Sequence, residues 1–542
     1  MSGLFLSIHN KIQQVWATLA GGNGSSLIGF IQSGIGAVLR SLSDLFKERV
    51  SVLDFGADPT GATDSSPQFA AALLSIKTNK KVLRIPNGTY KGSFLLTGAD
   101  YANVTIEGES KAGVLLNASD NATSVLTAIV NAHYPCFRNL TIRPGAVGNN
   151  GTHHGIHTDA VSGVVLDNVD VAGFNNNIHI IENNNTRMSR ITASGAVFAA
   201  GITGCNIFAS GTGAGGPGFW LRDSSLATGK FGIYLDAIEA PVISDTECLL
   251  QTDTGLYATN STAGAFSTGP FLTNFFADSS SQAAIYLQQQ INGCATNTWI
   301  SGSVGASKGL VLSNSHKNSF NIQAFNNKGY AVHLSGNSRF NSFNGGTVSN
   351  NNSDGIVIDV GCFGNSFNGT VIHANTGRGY NWNDVTNSEP NSLIGCYVAG
   401  NGLANVKQGK DIDIGGNYLS GQTSSFQFKR LAVNATQATT MGDISEQIVM
   451  QRAGAIVGFS TWLTSPITAG NLGVRPMVNG AVKDTLIVAM GSVTNSQYGS
   501  TALSDKSVRF TAGDRIAAYF DADAGYLPNG SNLNATCWVI FD

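Results

Sequence analysis

From Gly155 onward one phrase recurs along the chain: a small residue followed by alternating apolar and polar positions. It stands at Gly155-Ile156-His157, Gly232-Ile233-Tyr234-Leu235, Gly255-Leu256-Tyr257, Ala284-Ile285-Tyr286-Leu287, Gly309-Leu310-Val311-Leu312, Gly355-Ile356-Val357-Ile358 and Gly379-Tyr380-Asn381-Trp382. The last six are separated by 23, 29, 25, 46 and 24 residues, the 46 covering two coils with Tyr330 to Leu334 between them. A second phrase keeps the same phase: NSFN begins at Asn318, Asn341 and Asn365, and NSLI at Asn391. Strict alternation marks strands, and two phrases sharing one period mark stacked units that bury a continuous core only together. The pattern predicts a parallel β-helix of about 24 residues per coil. Alternate apolar side chains fill its bore, and identical Asn residues at a fixed corner form hydrogen-bonded ladders.

The ends of the chain follow other patterns. Val50, Val52 and Leu53 read as a short strand, and Asp58-Pro59-Thr60-Gly61 as a turn in which Pro sets φ and Gly absorbs the rest. Ser65 or Ser66 before Pro67 reads as the cap of a helix with Phe69, Ala72, Leu73 and Ile76 on one face, able to plug the end of the stack. Leu39, Leu42, Leu45 and Phe46 recur at helical spacing and predict a short amphipathic neck helix, either a threefold contact or an ordinary cap. After Gly421 the repeat gives way to two-period strands with hairpin signals at Asn479-Gly480 and Ala512-Gly513-Asp514, which predicts an antiparallel sandwich. The expected domains are an adaptor over 1–49, the β-helix over 50–420 and the sandwich over 421–542.

The stretch Val50 to Leu73, VSVLDFGADPTGATDSSPQFAAAL, resembles the DFGA opening of the pectate-lyase-like domains of bacteriophage tailspikes. The upstream SSLIGFIQSGIGAVLRSLSDLFKERVSVLDFGA looks like the connector that leads into many tailspike depolymerase domains. The resemblance implies an all-β fold, a right-handed parallel β-helix assembled as a homotrimer. It further implies binding and cleavage of a bacterial surface polysaccharide, with the N-terminus joined to the phage tail, its baseplate or another tail protein, and the C-terminal sandwich serving trimerisation, carbohydrate binding or both. Tailspike catalytic residues follow no portable motif, so none is transferred by the resemblance.

Composition narrows the partners. Charged residues are 12% of the chain, glycines number 65 and the net charge is −3, a turn-rich composition without the basic stripe that nucleic-acid binding requires. Seven isolated cysteines without a CxxC pair indicate neither a zinc site nor a disulfide framework. They suit core positions in a chain folded in a reducing host cytoplasm. The first twenty residues lack the features of a signal peptide, and no apolar run is long enough to insert in a membrane. No metal or cofactor is expected.

Stacked coils place equivalent positions in columns about 4.8 Å apart. Four residues after each corner Asn the column reads Ser301, Ile322, Gly345, Gly369 and Gly395, and apolar phase puts Asp223, Asp245 and Asn274 in the same column. Glu247 lies two residues beyond Asp245. Paired carboxylates on neighbouring coils are what glycoside hydrolysis needs, one as nucleophile or base and one as acid, so Asp223, Asp245 and Glu247 are the leading catalytic candidates. Adjacent-coil acids suit a retaining geometry, and a wider pair such as Asp223 and Glu247 an inverting one. Asp236 and Glu239 form a second pair, although Asp236 shares a column with Asp159 and Asp359, which fits a repeated turn role equally well. The cluster His153-His154-Gly155-Ile156-His157, with Asp159, offers imidazoles for a metal or a lyase base but lacks a recognised ligand spacing, and reads as a surface turn.

Flat rings stack on sugar faces, so Trp220, Tyr234, Tyr257, Tyr286 and Trp299, in the coils that carry the acids, are candidate substrate-binding residues with Arg222 and Asn274. Phe275 and Phe276 lie in the same coils. Endo-glycosidic hydrolysis is the first expectation. A polysaccharide lyase using a Lys, Arg, His or Tyr base beside a neutralised uronate, with Arg222 and Lys230 near the groove, is the second. A binding-only fibre and, more remotely, a carbohydrate esterase complete the set.

Overall fold

The computed structural model describes residues 2–31, 33–46, 49–77, 82–147, 153–196, 204–211, 218–302, 304–305, 307–382, 391–403, 406–407, 413–415, 418–419, 423–433, 439–440, 448–450, 453–463, 467–483, 488–490, 498–502, 508–522, 527 and 531–541. The chain divides into two compact units. One comprises Met1–Val371, Asn381–Ile394 and Gln408–Ile414, and the other Ile372–Tyr380, Gly395–Lys407 and Gly415–Asp542.

The first unit is dominated by a parallel β-solenoid. Each coil contributes three strands, and each strand pairs in register with its counterpart one coil away. On the first face Cys136 sits opposite Val165, Trp220 opposite Val242 and Val242 opposite Phe271. On the second, Ser225 sits opposite Glu247, and Glu247 opposite Phe276. On the third, Ile156 follows Leu126 and precedes Ile178. Inward positions are apolar and closed to solvent: Ile178, Ile207, Ile233, Leu256 and Ile285 are at most 1% exposed. Two long strands, Phe219–Asp236 and Val242–Thr259, run through all three faces. Further along, Phe320, Phe343 and Phe367 stack down the bore with centroids 5.0 and 4.4 Å apart.

The asparagine ladder forms as the repeat predicts. Asn318 Nδ2 donates to Asn341 Oδ1 at 3.0 Å, and Asn341 and Asn365 repeat the bond to Asn365 and Asn391 at 2.9 Å each. Each of the four side chains is buried. Asn341 Oδ1 also accepts from the Asn318 amide, and its Nδ2 also donates to Ser315 O at 2.9 Å. Asn341→Ala therefore strands several buried groups, each costing about 1–3 kcal/mol when unpaired. The expected loss is about 3 kcal/mol, read as a lower urea midpoint; an unchanged midpoint would show that the ladder contributes no stability.

The N-terminal elements depart from the expected ones. The longest helix is α1 (Ser2–Ala20), followed by α2 (Gly24–Leu27) and a five-residue α3 (Leu42–Phe46). The neck helix is thus a single turn, with Leu39 outside it and the Phe46 side chain outside the described residues. The short strand is Arg49–Ser51, and Val52–Phe55 turns into a 3-10 helix because Ser51 and Asp54 form a reciprocal capping box. The plug helix α4 (Ser66–Ile76) buries Phe69, Ala72, Leu73 and Ile76 as expected, and Phe69 stacks on Phe94 at 4.0 Å. Its cap differs: Ser65 makes no capping bond, and Asp64 Oδ1 accepts from the Ser66 amide at 3.0 Å instead. No helix among the described residues is long and apolar enough to cross a membrane.

The second unit carries two antiparallel sheets of a sandwich. In one, Thr423–Val433 and Gly454–Leu463 flank Ser531–Phe541; in the other, Leu472–Val478 pairs with Arg515–Ala522. Asn479-Gly480 closes a two-residue hairpin, both residues with positive φ (50° and 78°) and Val478 opposite Ala481. The Ala512-Gly513-Asp514 turn is not a hairpin: Val508–Phe510 pairs in the first sheet and Arg515–Ala522 in the second, so the turn passes between sheets. Parts of the expected strands at 484–487, 491 and 451–452 lie outside the described residues. All seven cysteines are free thiols, five of them buried.

Candidate functional site

The corner between the first and second faces needs a residue with positive φ. Asn139, Asn168, Arg190, Asp223, Asp245, Asn274 and Asn297 occupy it on consecutive coils with φ between 47° and 56°. Asn and Asp tolerate this region because their short polar side chains bond locally. The acidic column is therefore first a backbone requirement. Asn meets that requirement without charge, as at 139, 168, 274 and 297, so Asp223 and Asp245 place negative charge where the turn does not ask for it.

The register corrects two members of the expected column, Ser301 and Ile322. On the coil Cys294–Ser301 the corner residue is Asn297; Ser301 lies four residues further, opposite Asp278 and Phe325. Beyond a register shift between Ala295 and Thr298, the corner is held by Gly345 and Gly369, with φ of 70° and 65°. Ile322 lies opposite Thr298 in the second-face strand rather than at a positive-φ corner.

At this corner a groove of about 440 Å³ brings together Asp223, Asp245, Glu247 and Asn274 with Arg190 and Lys111. Asp223 and Asp245 are exposed and Glu247 half-buried. Asn274 Nδ2 donates to Asp245 Oδ1 at 2.8 Å, and Asn297 Nδ2 to Asn274 Oδ1 at 2.7 Å, so the ladder orients the Asp245 carboxylate. Ser225 Oγ donates to Glu247 Oε1 at 2.7 Å across the coil spacing. Arg190 is anchored by Asp167, with Nε 3.0 Å from Oδ1, and this bond raises its pKa above the ordinary guanidinium value. It remains a fixed cation at the edge of the acids.

Arg222 and Asp223 are consecutive, with Arg222 Nε 4.0 Å from Asp223 Oδ2. A second depression of about 610 Å³, lined by Trp220, Arg222, Arg187, Arg138 and Asp167, thus adjoins the first. The Arg187 guanidinium lies 5.4 Å from the Trp220 ring centre, and Arg138 is held 3.1 Å from Glu107. On the second face, Glu247, Phe276 and Trp299 form one outward column. Trp299 is 48% exposed.

Other candidates lie elsewhere. Asp236 Oδ1 accepts from the Ser261 amide and Glu239 Oε2 from the Thr268 amide, each at 2.7 Å, so both hold loop backbone away from the groove. Asp236 does share its column with Asp159 through successive pairings, and the register of the neighbouring pairs carries the same column to Asp359. Tyr234, Tyr257 and Tyr286 stand on the third face, stacked at 5.1 and 4.9 Å, and Tyr234 is only 6% exposed. Desolvation pushes the Tyr257 hydroxyl up to about 12. These rings form a stacked ladder on a different face from the acids. Phe275 is fully buried, whereas Phe276 lines the groove.

The histidine cluster is not a surface turn. His153 is fully buried and His154 and His157 partly so. His179, one coil on, lies opposite His157. Burial, reinforced by the neighbouring imidazoles, pulls His154 down to about 3 and His179 down to about 4.

Arg190, Lys111, Arg187 and Arg138 escaped the sequence reading because charge has no period in this chain. Tracing the corner column back from Asp223 to the preceding coil would have found Arg190.

Residues 49–248 match the family model described as rhamnogalacturonase A/epimerase, pectate lyase-like, a span that contains Asp223, Asp245 and Glu247. No curated protein sequence matches the chain. Among solved structures, tailspike protein 3 of bacteriophage CBA120 is similar over 76% of this chain and 68% of that one, with 16% identity and a TM-score of 0.58. The A-module of the mannuronan C-5 epimerase AlgE6 of Azotobacter vinelandii is similar over 68% of this chain and 99% of that one, with 14% identity and a TM-score of 0.51. The chain thus combines a pectate-lyase-like segment with the parallel β-helix fold found in a phage tailspike.

Proposed function

We propose that this chain is a phage tailspike subunit that binds a bacterial surface polysaccharide and cuts it by endo-glycosidic hydrolysis in the corner groove. The observation that carries this reading is the convergence of Asp223, Asp245 and Glu247 in one open groove beside fixed cations. An open groove along a stack accepts a polymer in mid-chain, as endo-cleavage demands.

Asp223 and Glu247 lie on adjacent coils and two residues apart along the strand. With about 4.8 Å between strands and about 3.3 Å per residue, their backbone positions are roughly 8 Å apart, and in this reading their carboxyls stand far enough apart to hold a water between them. In this reading Glu247, the less exposed acid, protonates the leaving oxygen. Asp223, beside Arg222 and Arg190, activates the water, and Asp245, held by Asn274, stabilises positive charge on the sugar ring. The product anomer is then inverted. Trp299, Trp220 and Arg222 extend the contact surface on either side.

A second reading rests on the arginines that line the adjoining depression. Arg138, Arg187 and Arg222 are placed to neutralise sugar carboxylates, which β-elimination requires, and Lys111 would then serve as the base. Incubating the protein with a panel of capsular and O-antigen polysaccharides separates these outcomes. Hydrolysis gives shorter polymer and new reducing ends without unsaturated-uronate absorbance; elimination gives the absorbance; unchanged polymer that still binds identifies a recognition fibre.

We assign attachment to the tail to residues 1–49, cleavage to 50–420, and trimerisation or sugar binding to 421–542. Helix α1 supports a homotrimer. Phe5, Ile8, Ile12, Val15 and Leu19 follow a 3-4-3-4 spacing and are all at least 40% exposed, a heptad seam with β-branched residues at the d positions, which favours three or more strands over two. Sedimentation of the intact protein should give three chains of 56.4 kDa each, and Ile12→Asp should splay the helices and lower the α-helical circular dichroism. A monomeric wild type contradicts the trimer.

A further inference from the structure

We infer that His154, His157 and His179 form a binding site for a borderline transition-metal ion, Zn²⁺ above all, that ties two consecutive coils together on the third face of the solenoid. The three side chains each offer a ring nitrogen, and these atoms all lie within 4.8 Å of one another. His157 and His179 stand opposite each other in parallel strands, with their Nδ1 atoms 3.0 Å apart. That separation suits two neighbouring ligands of one ion whose bonds to imidazole are about 2.0–2.1 Å long. His154 enters from the start of the same coil as His157, with its ring centre 4.0 Å from that of His179.

The fold explains why the rings converge. In-register parallel pairing projects His157 and His179 side by side about 4.8 Å apart. His154 precedes the strand Ile156–Asp159, so its ring lies at the edge of the same column. Phe208 covers the next position, 4.9 Å from the His179 ring. Without a metal, the His157–His179 contact needs one ring to donate and the other to accept. His154 Nδ1 then has a long bond of 3.3 Å from the Asn176 amide. A metal between His157 and His179 replaces their mutual contact with two stronger bonds, and His154 can join it through Nε2 while Nδ1 keeps the Asn176 amide.

The donor set selects the ion. Three imidazoles without a carboxylate suit Zn²⁺, Ni²⁺ or Cu²⁺, whereas Ca²⁺ and Mg²⁺ require oxygen ligands. Three protein ligands also leave a coordination position for water. The site lies on a different face from the acids, so the metal acts on the stack rather than on the glycosidic bond.

The test uses the full-length, untagged protein, stripped with a chelator and dialysed against ZnCl₂ and, separately, CoCl₂ at pH 7.5. The expected results are one bound ion per chain, a visible Co²⁺ absorption band of low-coordinate nitrogen ligation, and a higher melting temperature. His157→Gln and His179→Gln should each weaken binding by more than the roughly 10–100-fold that losing a hydrogen-bond partner of a metal ligand costs, while His373→Gln leaves it unchanged. Circular dichroism of each variant establishes that it is folded. Absence of stoichiometric binding to the wild type, or binding that survives both substitutions in folded protein, overturns the inference.

Discussion

Glu247→Gln should slow polysaccharide cleavage by about 10²–10⁴-fold, the usual contribution of a positioned general acid, while leaving polymer binding within about twofold. The amide keeps the size of the side chain, and Ser225 Oγ still finds an oxygen acceptor in place of Glu247 Oε1. Only the transferable proton is lost. Substrates with an activated aryl leaving group, which need little protonation, should recover most of the rate. Asp223→Asn should show the complementary behaviour: a similar loss of rate with no rescue by a good leaving group. Its backbone should not suffer, because Asn holds the same positive-φ corner at 168 and 274. A Glu247→Gln protein that cleaves at the wild-type rate would remove Glu247 from the mechanism. Equal rescue of both variants would remove the assignment of acid and base.

Phe343→Ala should be strongly destabilising, costing about 3–5 kcal/mol, the range for truncating a buried aromatic. Phe343 is 2% exposed and sandwiched between Phe320 and Phe367, so its removal opens a cavity that rigid coils on either side cannot fill. Urea denaturation monitored by circular dichroism reads the loss. Phe343→Leu, which keeps most of the volume, should recover more than half of it. A loss under about 1 kcal/mol would mean that the bore collapses locally and that its packing is softer than a close-packed interior.

The repeat was legible because its cause is simple: a coil of constant length forces one phase on every inward residue, and Asn318, Asn341, Asn365 and Asn391 announce the corner by themselves. The corner that carries the acids was harder. Its requirement is a backbone angle, which Asn, Asp, Gly and even Arg190 satisfy, so no single letter marks it; on the coil of Asn297 the ladder position is Gly293, opposite Asn318, so counting from Asn297 as the ladder corner misplaces the column by four. Asp223, Asp245 and Glu247 were found through apolar phase, and the structure brings them into one groove. Tyr234, Tyr257 and Tyr286 do share coils with the acids but stand on another face, because a column says which coil a ring belongs to but not which of three faces it occupies. His179 stayed hidden for the opposite reason, since its partners lie 22 and 25 residues earlier, on the preceding coil. The heptad in α1 was present in the letters at 5, 8, 12, 15 and 19, yet a reading of that segment for apolar length alone passes over spacing.

The measurement that tests the central claim most directly is a crystal structure of the Glu247→Gln protein with an oligosaccharide of the polysaccharide it degrades. The account predicts sugar density along the corner between the first and second faces, with a glycosidic oxygen next to residue 247 and the opposite side of that ring facing Asp223. Sugar bound only on the third face, or only in the antiparallel sheets of the second unit, would contradict it.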